Sequence, residues 1–392
     1  MKTTFIHTAD WQLGKPFASV NDPHKRSLLQ AERIAVINRI AETAREHKAE
    51  FVLIAGDLFD SPGAIKSTVS AACSAIGALG IPVYAIPGNH DHGGAGGLWE
   101  QEFFLREREQ LAPNFHILLK PEPVELDNAV LLPCPLLRRH DLDDPTTWIR
   151  EGLADAKRFG NKPRIILAHG SIATFGSLSD DDDDESGADA VNHIDLDRLP
   201  ETELDYLALG DWHGTKQVGA KAWYSGTPEL DRFIKGGQHD PGNILIVEAE
   251  RGQPPKVARH TSARLGWHEL AFSFADDTGL DALEQQVSEL IEARANEDLL
   301  RLTLDGALGI EAFTRLENAL DSWIARLIRL KLENHTTIEP TPEELESLTQ
   351  RAQDPLVSRV AARLTEMAST EGEDGAVARV ALRELHAACN AN

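Results

Sequence analysis

Cysteine is scarce in this chain, and basic residues are far outnumbered by acidic ones. Among 392 residues there are three cysteines, Cys73, Cys134 and Cys389. They lie far apart and form no Cys-x-x-Cys pair, which excludes a disulfide framework and a zinc ribbon and fits a reducing compartment. No apolar run approaches the roughly 20 residues that span a bilayer. The first ten residues carry no basic stretch followed by a long apolar one, so no secretory signal is expected. The expected location is the cytoplasm, away from membranes. Lysine and arginine number 39 against 63 aspartates and glutamates, a formal net charge of −24. Phosphate neutralisation dominates the affinity of proteins for nucleic acids, and a chain this acidic shows no overall basic footprint for them. If a polyanion is bound, metal ions or a partner must supply much of the attraction. No internal repeat is evident.

What is present is a regular alternation. Residues 3–7, 51–55 and 83–86 are short, almost continuously apolar runs, as in strands buried on both faces. Between them, 28–47 carries apolar residues at helical spacing, and 67–80 forms a second helix ended by Gly80 and Pro82. Further strands are expected at 129–132, 164–168, 206–209 and 243–248. This β-α-β order predicts a layered α/β domain. An acidic run at 180–185 reads as a solvated loop kept extended by its own charge, with a regulatory or metal-recruiting role as the alternative. After about residue 262 the pattern restarts: strands at 267–274, 299–304 and 327–333 alternate with helices at 280–294 and 310–324, a small separate α/β unit. Two helices, 342–369 and 375–389, close the chain.

Acids and histidines fall just past the ends of the first set of strands. The run 3–7 leads into Asp10-Trp11-Gln12, 51–55 into Gly56-Asp57-Leu58-Phe59-Asp60, and 83–86 into Gly88-Asn89-His90-Asp91. The run 164–168 leads into His169-Gly170, and 206–209 into Gly210-Asp211-Trp212-His213-Gly214. Open α/β sheets bind ligands in the crevice beyond the carboxyl ends of their strands, so five loops are expected to converge on one place. Each motif alone is a common turn; five in order, each after a strand, are not. The residue types suit two divalent cations about 3.5–4 Å apart, which clamp the attacking and leaving oxygens of a phosphoryl group. Asp57 is the expected bridge. Asp10, Gln12 and His213 would complete one ion's shell, and Asn89, His169 and Asp211 the other's. His90 is placed to protonate the leaving oxygen, with Asp91 orienting it.

The spellings His-Thr-Ala-Asp-Trp-x-Leu-Gly at 7–14, Gly-Asp-Leu-Phe-Asp at 56–60 and Gly-Asn-His-Asp at 88–91 resemble the calcineurin-like metallophosphoesterases, and more closely their DNA-repair nuclease branch of SbcD type. Residues 224–229, Tyr-Ser-Gly-Thr-Pro-Glu, resemble the segment that closes the catalytic domain of that branch. The resemblance covers roughly residues 1–335. It implies an α/β fold, a layered β-sandwich flanked by helices, with a nuclease domain at 1–262, a DNA-capping α/β domain at 263–340 and a helical segment at 341–392. It further implies a DNA substrate, an SMC-like coiled-coil ATPase partner docking after the cap, and a homodimer. The family's first motif normally reads Asp-x-His and its last Gly-His-x-His, whereas Gln12 and Asp211 stand here. An amide oxygen and a carboxylate thus replace two imidazoles, and such oxygen-rich shells favour Mn²⁺ or Mg²⁺ over zinc.

The function expected is a Mn²⁺-dependent DNA exonuclease or endonuclease. The alternatives are a phosphodiesterase or phosphatase acting on a small nucleotide or phosphate ester, which the acidity suits better, and a non-catalytic scaffold with an altered metal shell. Four further residues in or beside the motifs invite roles as well. His7 reads as a packed histidine, with a hydrogen bond supporting the site as the alternative, and Asp60 as the cap of a helix starting near residue 64, with a contact to the site as the alternative. Trp11 and Trp212 read as core residues, with walling of the cleft or stacking on a base as the alternatives. The apolar faces of the last two helices fit packing on the chain itself or docking of a partner.

Overall fold

The computed structural model describes residues 1–172, 191–234, 240–370 and 372–390. The acidic run at 180–185 lies outside them. The chain divides into two compact units, Met1–Arg264 and Leu265–Asn392.

The first unit opens with β1 (Lys2–Thr8), α1 (Pro23–Glu46), β2 (Phe51–Ala55), α2 (Lys66–Gly77) and β3 (Val83–Ile86). It continues through α3 (Glu102–Leu111), β4 (Phe115–Ile117), β5 (Val124–Glu125), β6 (Val130–Cys134), the short α4 (Ile149–Gly152) and β7 (Arg164–His169). After the small pair β8 (Ser171–Ile172) and β9 (His193–Ile194) come β10 (Tyr206–Gly210), β11 (Lys216–Gln217), β12 (Ala222–Tyr224), β13 (Asn243–Glu250) and β14 (Lys256–Thr261). Two six-stranded sheets result, ordered β14-β13-β1-β2-β3-β4 and β11-β12-β10-β7-β6-β5. The strands that lead into the motifs pair in parallel: β1 with β2, β2 with β3, and β7 with β10.

Side-chain alternation explains the layering. Phe5, Leu53, Ala55 and Ile86 point to one face of the first sheet and share a core with Leu131, Ile165, Leu167, Tyr206 and Ala208 of the second. The alternate residues Ile6, Val52 and Ile54 face the other way, onto Val36, Ile37 and Ile40 of α1 and Val69, Cys73 and Ile76 of α2. A strand residue and its successor serve opposite layers, which is why these strands read as unbroken apolar runs. The outer face of the second sheet, with Leu132, Ile166 and Leu209, is covered by Ile149, Phe159 and Ile194. The sandwich flanked by helices is therefore present as expected.

Helix α1 starts five residues before the apolar periodicity does. The Asp22 carboxylate accepts hydrogen bonds from the backbone N–H groups of His24 and Lys25, and Pro23 takes the first helical position. That is a capped start whose first turn is polar.

The second unit comprises β15 (Gly266–Phe274), α5 (Gly279–Ile291), β16 (Asp298–Leu308), α6 (Ile310–Arg326), β17 (Arg329–Asn334) and β18 (Thr337–Ile338). It ends with α7 (Pro342–Thr349), α8 (Pro355–Ala368) and α9 (Glu373–Asn390). Strands β15, β16 and β17 run parallel, and α5 and α6 cover them with Leu283, Val287, Leu316 and Trp323. The single helix expected at 342–369 is two helices. Pro355 cannot donate into a continuing helix, and Asp354 caps the new one by accepting from the N–H of Val357. No described helix is long and apolar enough to cross a membrane.

Candidate metal centre

All five motifs leave their strands at the carboxyl end: Asp10 and Gln12 follow β1, Asp57 follows β2, Asn89 follows β3, His169 closes β7, and Asp211 and His213 follow β10. The first two loops are zipped together. Asp10 N–H donates to the Gly56 carbonyl at 3.1 Å, Gln12 N–H to that of Asp57 at 2.9 Å, and Leu13 N–H to that of Leu58 at 2.9 Å. The backbone there is left-handed, with φ of 54° at Asp10, 42° at Gln12, 53° at Asp57 and 103° at Asp211. Residues with a Cβ rarely adopt such angles, and each costs about 1–3 kcal/mol that the surrounding contacts must offset. Two glycines make the approach possible. A Cβ on Gly56 would lie 2.2 Å from His169 Nδ1, and one on Gly88 would lie 2.1 Å from Asp57 Oδ1.

Arg33, buried on α1, holds the first loop from behind. Its guanidinium donates to the carbonyls of Trp11 at 2.7 Å, Asp10 at 3.1 Å and Glu229 at 3.1 Å. Thr227 Oγ1 donates to the Asp10 carbonyl at 2.9 Å. The 224–229 segment therefore fastens the Asp10–Trp11 turn, which gives that motif a physical purpose. Nothing in the sequence singled out Arg33, a cation amid the apolar face of an amphipathic helix.

His169 is the centre of the cluster. Its Nδ1 donates to the Ala55 carbonyl at 2.8 Å, which aims Nε2 at Asn89 Oδ1 at 3.0 Å, Asp57 Oδ1 at 3.6 Å and Asp211 Oδ1 at 3.7 Å. Burial pushes this imidazole down, but Asp57, Asp10 and Asp211 outweigh burial and bring it up to about 9. In the metal-free chain the imidazolium is thus the counter-charge of these acids. Asp10, fully buried, is pushed up to about 7 by burial, with Asp57 and Asp211 raising it and His213 and His169 opposing. Asp10, Asp57 and His169 each offer a ligand atom within 4.8 Å of one another. With the oxygens of Asn89 and Asp211 they form a hard, oxygen-rich set around one imidazole, and this donor set fits a divalent cation. An ion there must displace a proton from His169.

Gln12 and His213 are arranged differently. Gln12 Nε2 lies 3.4 Å from His213 Nε2, while Lys15 Nζ donates to Gln12 Oε1 at 2.8 Å. His213 Nδ1 is 3.4 Å from Asp231 Oδ2, and Lys15 Nζ is 2.8 Å from the same oxygen. As they stand, the amide and the imidazole face one another. Sequence reasoning missed Lys15 and Asp231, since neither falls in a motif.

His90 and Asp91 part company. His90 N–H donates to Asp57 Oδ1 at 2.9 Å, and its ring Nδ1 meets the Asp60 carbonyl at 2.8 Å. Asp91 spends its carboxylate on the backbone N–H groups of Gly88 at 2.8 Å and Phe59 at 3.0 Å. The backbone of Asp60 therefore holds the imidazole at Nδ1, and Asp91 fixes the two loops. The cap expected from Asp60 is absent, because α2 begins at Lys66 with no side-chain cap. His7 is a packed histidine, fully buried between Tyr206 Oη at 2.9 Å and the Leu209 carbonyl at 3.1 Å. Trp11 lies in the core with its indole N–H on Thr8 Oγ1, and Trp212 packs against the core outside the second sheet.

The chain is similar to several known proteins. The family model for the calcineurin-like phosphoesterases matches residues 3–240. The SbcD subunit of the nuclease SbcCD of Escherichia coli (strain K12) is 28% identical over 255 residues, 57% of this chain and 60% of that protein, so the match spans less than two thirds of the relative's length. The uncharacterized metallophosphoesterase YhaO of Bacillus subtilis (strain 168) is 24% identical over 360 residues, 86% of this chain and 80% of that protein. The solved structure of TT1561 of Thermus thermophilus is 12% identical, covering 67% of this chain and all of that one, with a TM-score of 0.40.

Proposed function

The chain belongs to the calcineurin-like phosphoesterase family of metal-dependent phosphoester hydrolases, and on that premise we propose that it is a phosphodiesterase acting on DNA, a nuclease of SbcD type. The observation that carries this reading is the position of Asp57. Its carboxylate lies 3.6 Å from His169 Nε2 and accepts from the N–H of His90, so one residue joins the metal-ligand cluster to the candidate acid. Two divalent ions are the proposed cofactors, Mn²⁺ with Mg²⁺ as the alternative, and they supply Lewis acidity at the phosphoryl group. The proposed ligands are Asp10, Gln12, Asp57, Asn89, His169, Asp211 and His213. His90 is the proposed proton donor to the leaving oxygen. The Asp60 carbonyl can only accept, so it keeps a proton on Nδ1 and leaves Nε2 as the atom at which a proton moves.

Residues 263–340 are the proposed DNA cap, residues 341–392 the proposed docking segment, and an SMC-like coiled-coil ATPase the proposed partner. Leu356, Val360, Val377 and Val380 of α8 and α9 are exposed apolar residues of the kind a coiled coil covers. A partner would also help an enzyme of net charge −24 approach a polyanion. That same acidity favours a second reading, a small phosphodiester as substrate.

Hydrolysis of end-labelled linear DNA and of bis(p-nitrophenyl) phosphate with Mn²⁺ tests both. The nuclease reading expects digestion of the DNA, lost in Asp57→Ala by at least about a thousandfold, roughly 4 kcal/mol of barrier. Turnover of the small ester with intact DNA, even with the ATPase added, would replace it by the second reading. No turnover of either, with His90→Ala indistinguishable from wild type, would leave a scaffold.

A further inference from the structure

The family's first metal shell is changed in this chain by more than the single residue Gln12. Where an imidazole is expected, Gln12 presents an amide with one acceptor and two donors. Lys15 Nζ lies 2.8 Å from Gln12 Oε1, and an ammonium has only donors to offer, so the oxygen is the end that faces it. The amide nitrogen is thereby turned to His213 Nε2 at 3.4 Å. A donor now points at the imidazole, in the place where a metal would need two acceptors.

Lys15 is not free to leave. Its N–H donates to the Gln12 carbonyl at 3.1 Å, and its own carbonyl accepts from Gln30 Nε2 at 3.1 Å. Its ammonium also meets Asp231 Oδ2 at 2.8 Å, on a carboxylate that is 2% exposed. Asp231 is shared with Arg232 at 3.3 Å and with His213 Nδ1 at 3.4 Å. The Lys15 ammonium is thus held between the Gln12 amide oxygen and the buried Asp231 carboxylate.

We propose that Lys15 is the resident cation of the Gln12–His213 half of the site, so that the chain binds one divalent ion tightly through Asp57, Asn89, His169 and Asp211 and a second only weakly, in competition with the Lys15 ammonium. This rests on the reading that the Asp57 cluster binds a divalent ion at all. It turns the two-ion site of the family into an unequal pair, with a fixed side-chain charge standing beside the weaker position.

The test is calorimetric titration of the full-length, EDTA-stripped chain with MnCl₂, with the number of bound ions checked by the loss of the free Mn²⁺ electron-spin signal. The wild type is expected to take one ion tightly and a second at least a hundredfold more weakly. Lys15→Met is expected to tighten the second by at least tenfold while the first stays within twofold. Gln12→His, which gives back an imidazole acceptor and removes the acceptor that holds Lys15, is expected to act in the same direction, and it serves should Lys15→Met fold poorly. Two wild-type ions within tenfold of each other, or a weaker site unmoved in both variants, would overturn the role of Lys15 and leave the metal reading intact. Binding of no ion by any of the three proteins would overturn both.

Discussion

The two units of this chain follow the same local rules and put them to different ends. In each, parallel strands are joined by helices whose apolar faces cover the sheet. In the first unit, β1, β2, β7 and β10 run out into Asp10, Asp57, His169 and Asp211, whereas in the second β15, β16 and β17 end at Phe274, Leu308 and Asn334. Each unit also buries acids. Asp298, 3% exposed, sits 2.8 Å from His268 Nε2 and 2.9 Å from Arg294 Nη2, paired within its own unit. Asp10 and Asp57 lie against each other and Asp211, with His169 between them. A buried acid is ordinary when a cation side chain answers it; a group of them sharing one imidazole is poised for a metal.

The largest expected effect that would sharpen this contrast is in activity. Asp57→Ala should abolish turnover yet leave the stability of the metal-free chain within about 1 kcal/mol, because removing one of several crowded acids relieves repulsion. Asp298→Ala should do the reverse, keeping turnover and costing about 2 kcal/mol in urea melts, since it strands Arg294 and His268. If Asp298→Ala also lost turnover, the second unit would not be chemically silent.

His7 separates a buried histidine of structure from His169. Burial lowers it to about 3, opposed only by its bond to the Leu209 carbonyl. The folded state keeps it neutral while the unfolded chain takes up a proton below about 6.5, so its stabilisation is complete above that pH and is lost as pH falls from 6.5 towards 3. Over that window the loss is on the order of 5 kcal/mol. Asp10 and Asp91, both raised to about 7, give the opposite slope in part of that range. The informative measurement is therefore the difference between wild type and His7→Gln in melts from pH 4 to 7, which should shrink as pH falls. A difference that does not change with pH would mean that His7 is not held neutral.

A smaller pair isolates backbone geometry from chemistry. Gly56 has φ of 90° and would set a Cβ against His169, while Gly306 has φ of 99° and would set one 2.2 Å from the Phe274 carbonyl. Alanine at either should cost about 1–3 kcal/mol. Only Gly56→Ala should also weaken Mn²⁺ binding, because only there does the added carbon displace a ligand. Equal metal affinity in both variants would show that the glycine serves the fold alone.

Much of this was legible in the sequence, and the misses have physical reasons. The strands at 51–55 and 83–86 fell where expected because an apolar run between turn residues leaves little freedom. The start of α1 was hidden, since a capped first turn is polar and shows no periodicity. The helix break near Pro355 was written in the sequence, but the amphipathic pattern continuing beyond it hid the break. Among site residues, Asp10, Asp57, Asn89, His169 and Asp211 come together, each following a strand in a sheet that places strand ends side by side. The partner of His90 was misassigned to its neighbour Asp91, because adjacency in sequence says little about where a carboxylate points.

By itself, then, the sequence determined a layered α/β unit and the loops that follow its strands, for apolar runs and strand order act along the chain and can be read there, while the sandwich was implied by the family resemblance. Only the tertiary structure decided what the meeting residues do to one another. Lys15 claims the oxygen of Gln12, Arg33 holds the Asp10 turn, and Asp60 steadies His90 through a backbone carbonyl. The contacts of Arg33 with Asp10, of Asp60 with His90 and of Lys15 with Asp231 join residues 23 to 216 positions apart. Hydrogen-bond direction depends on three-dimensional approach, which no spacing in the sequence encodes.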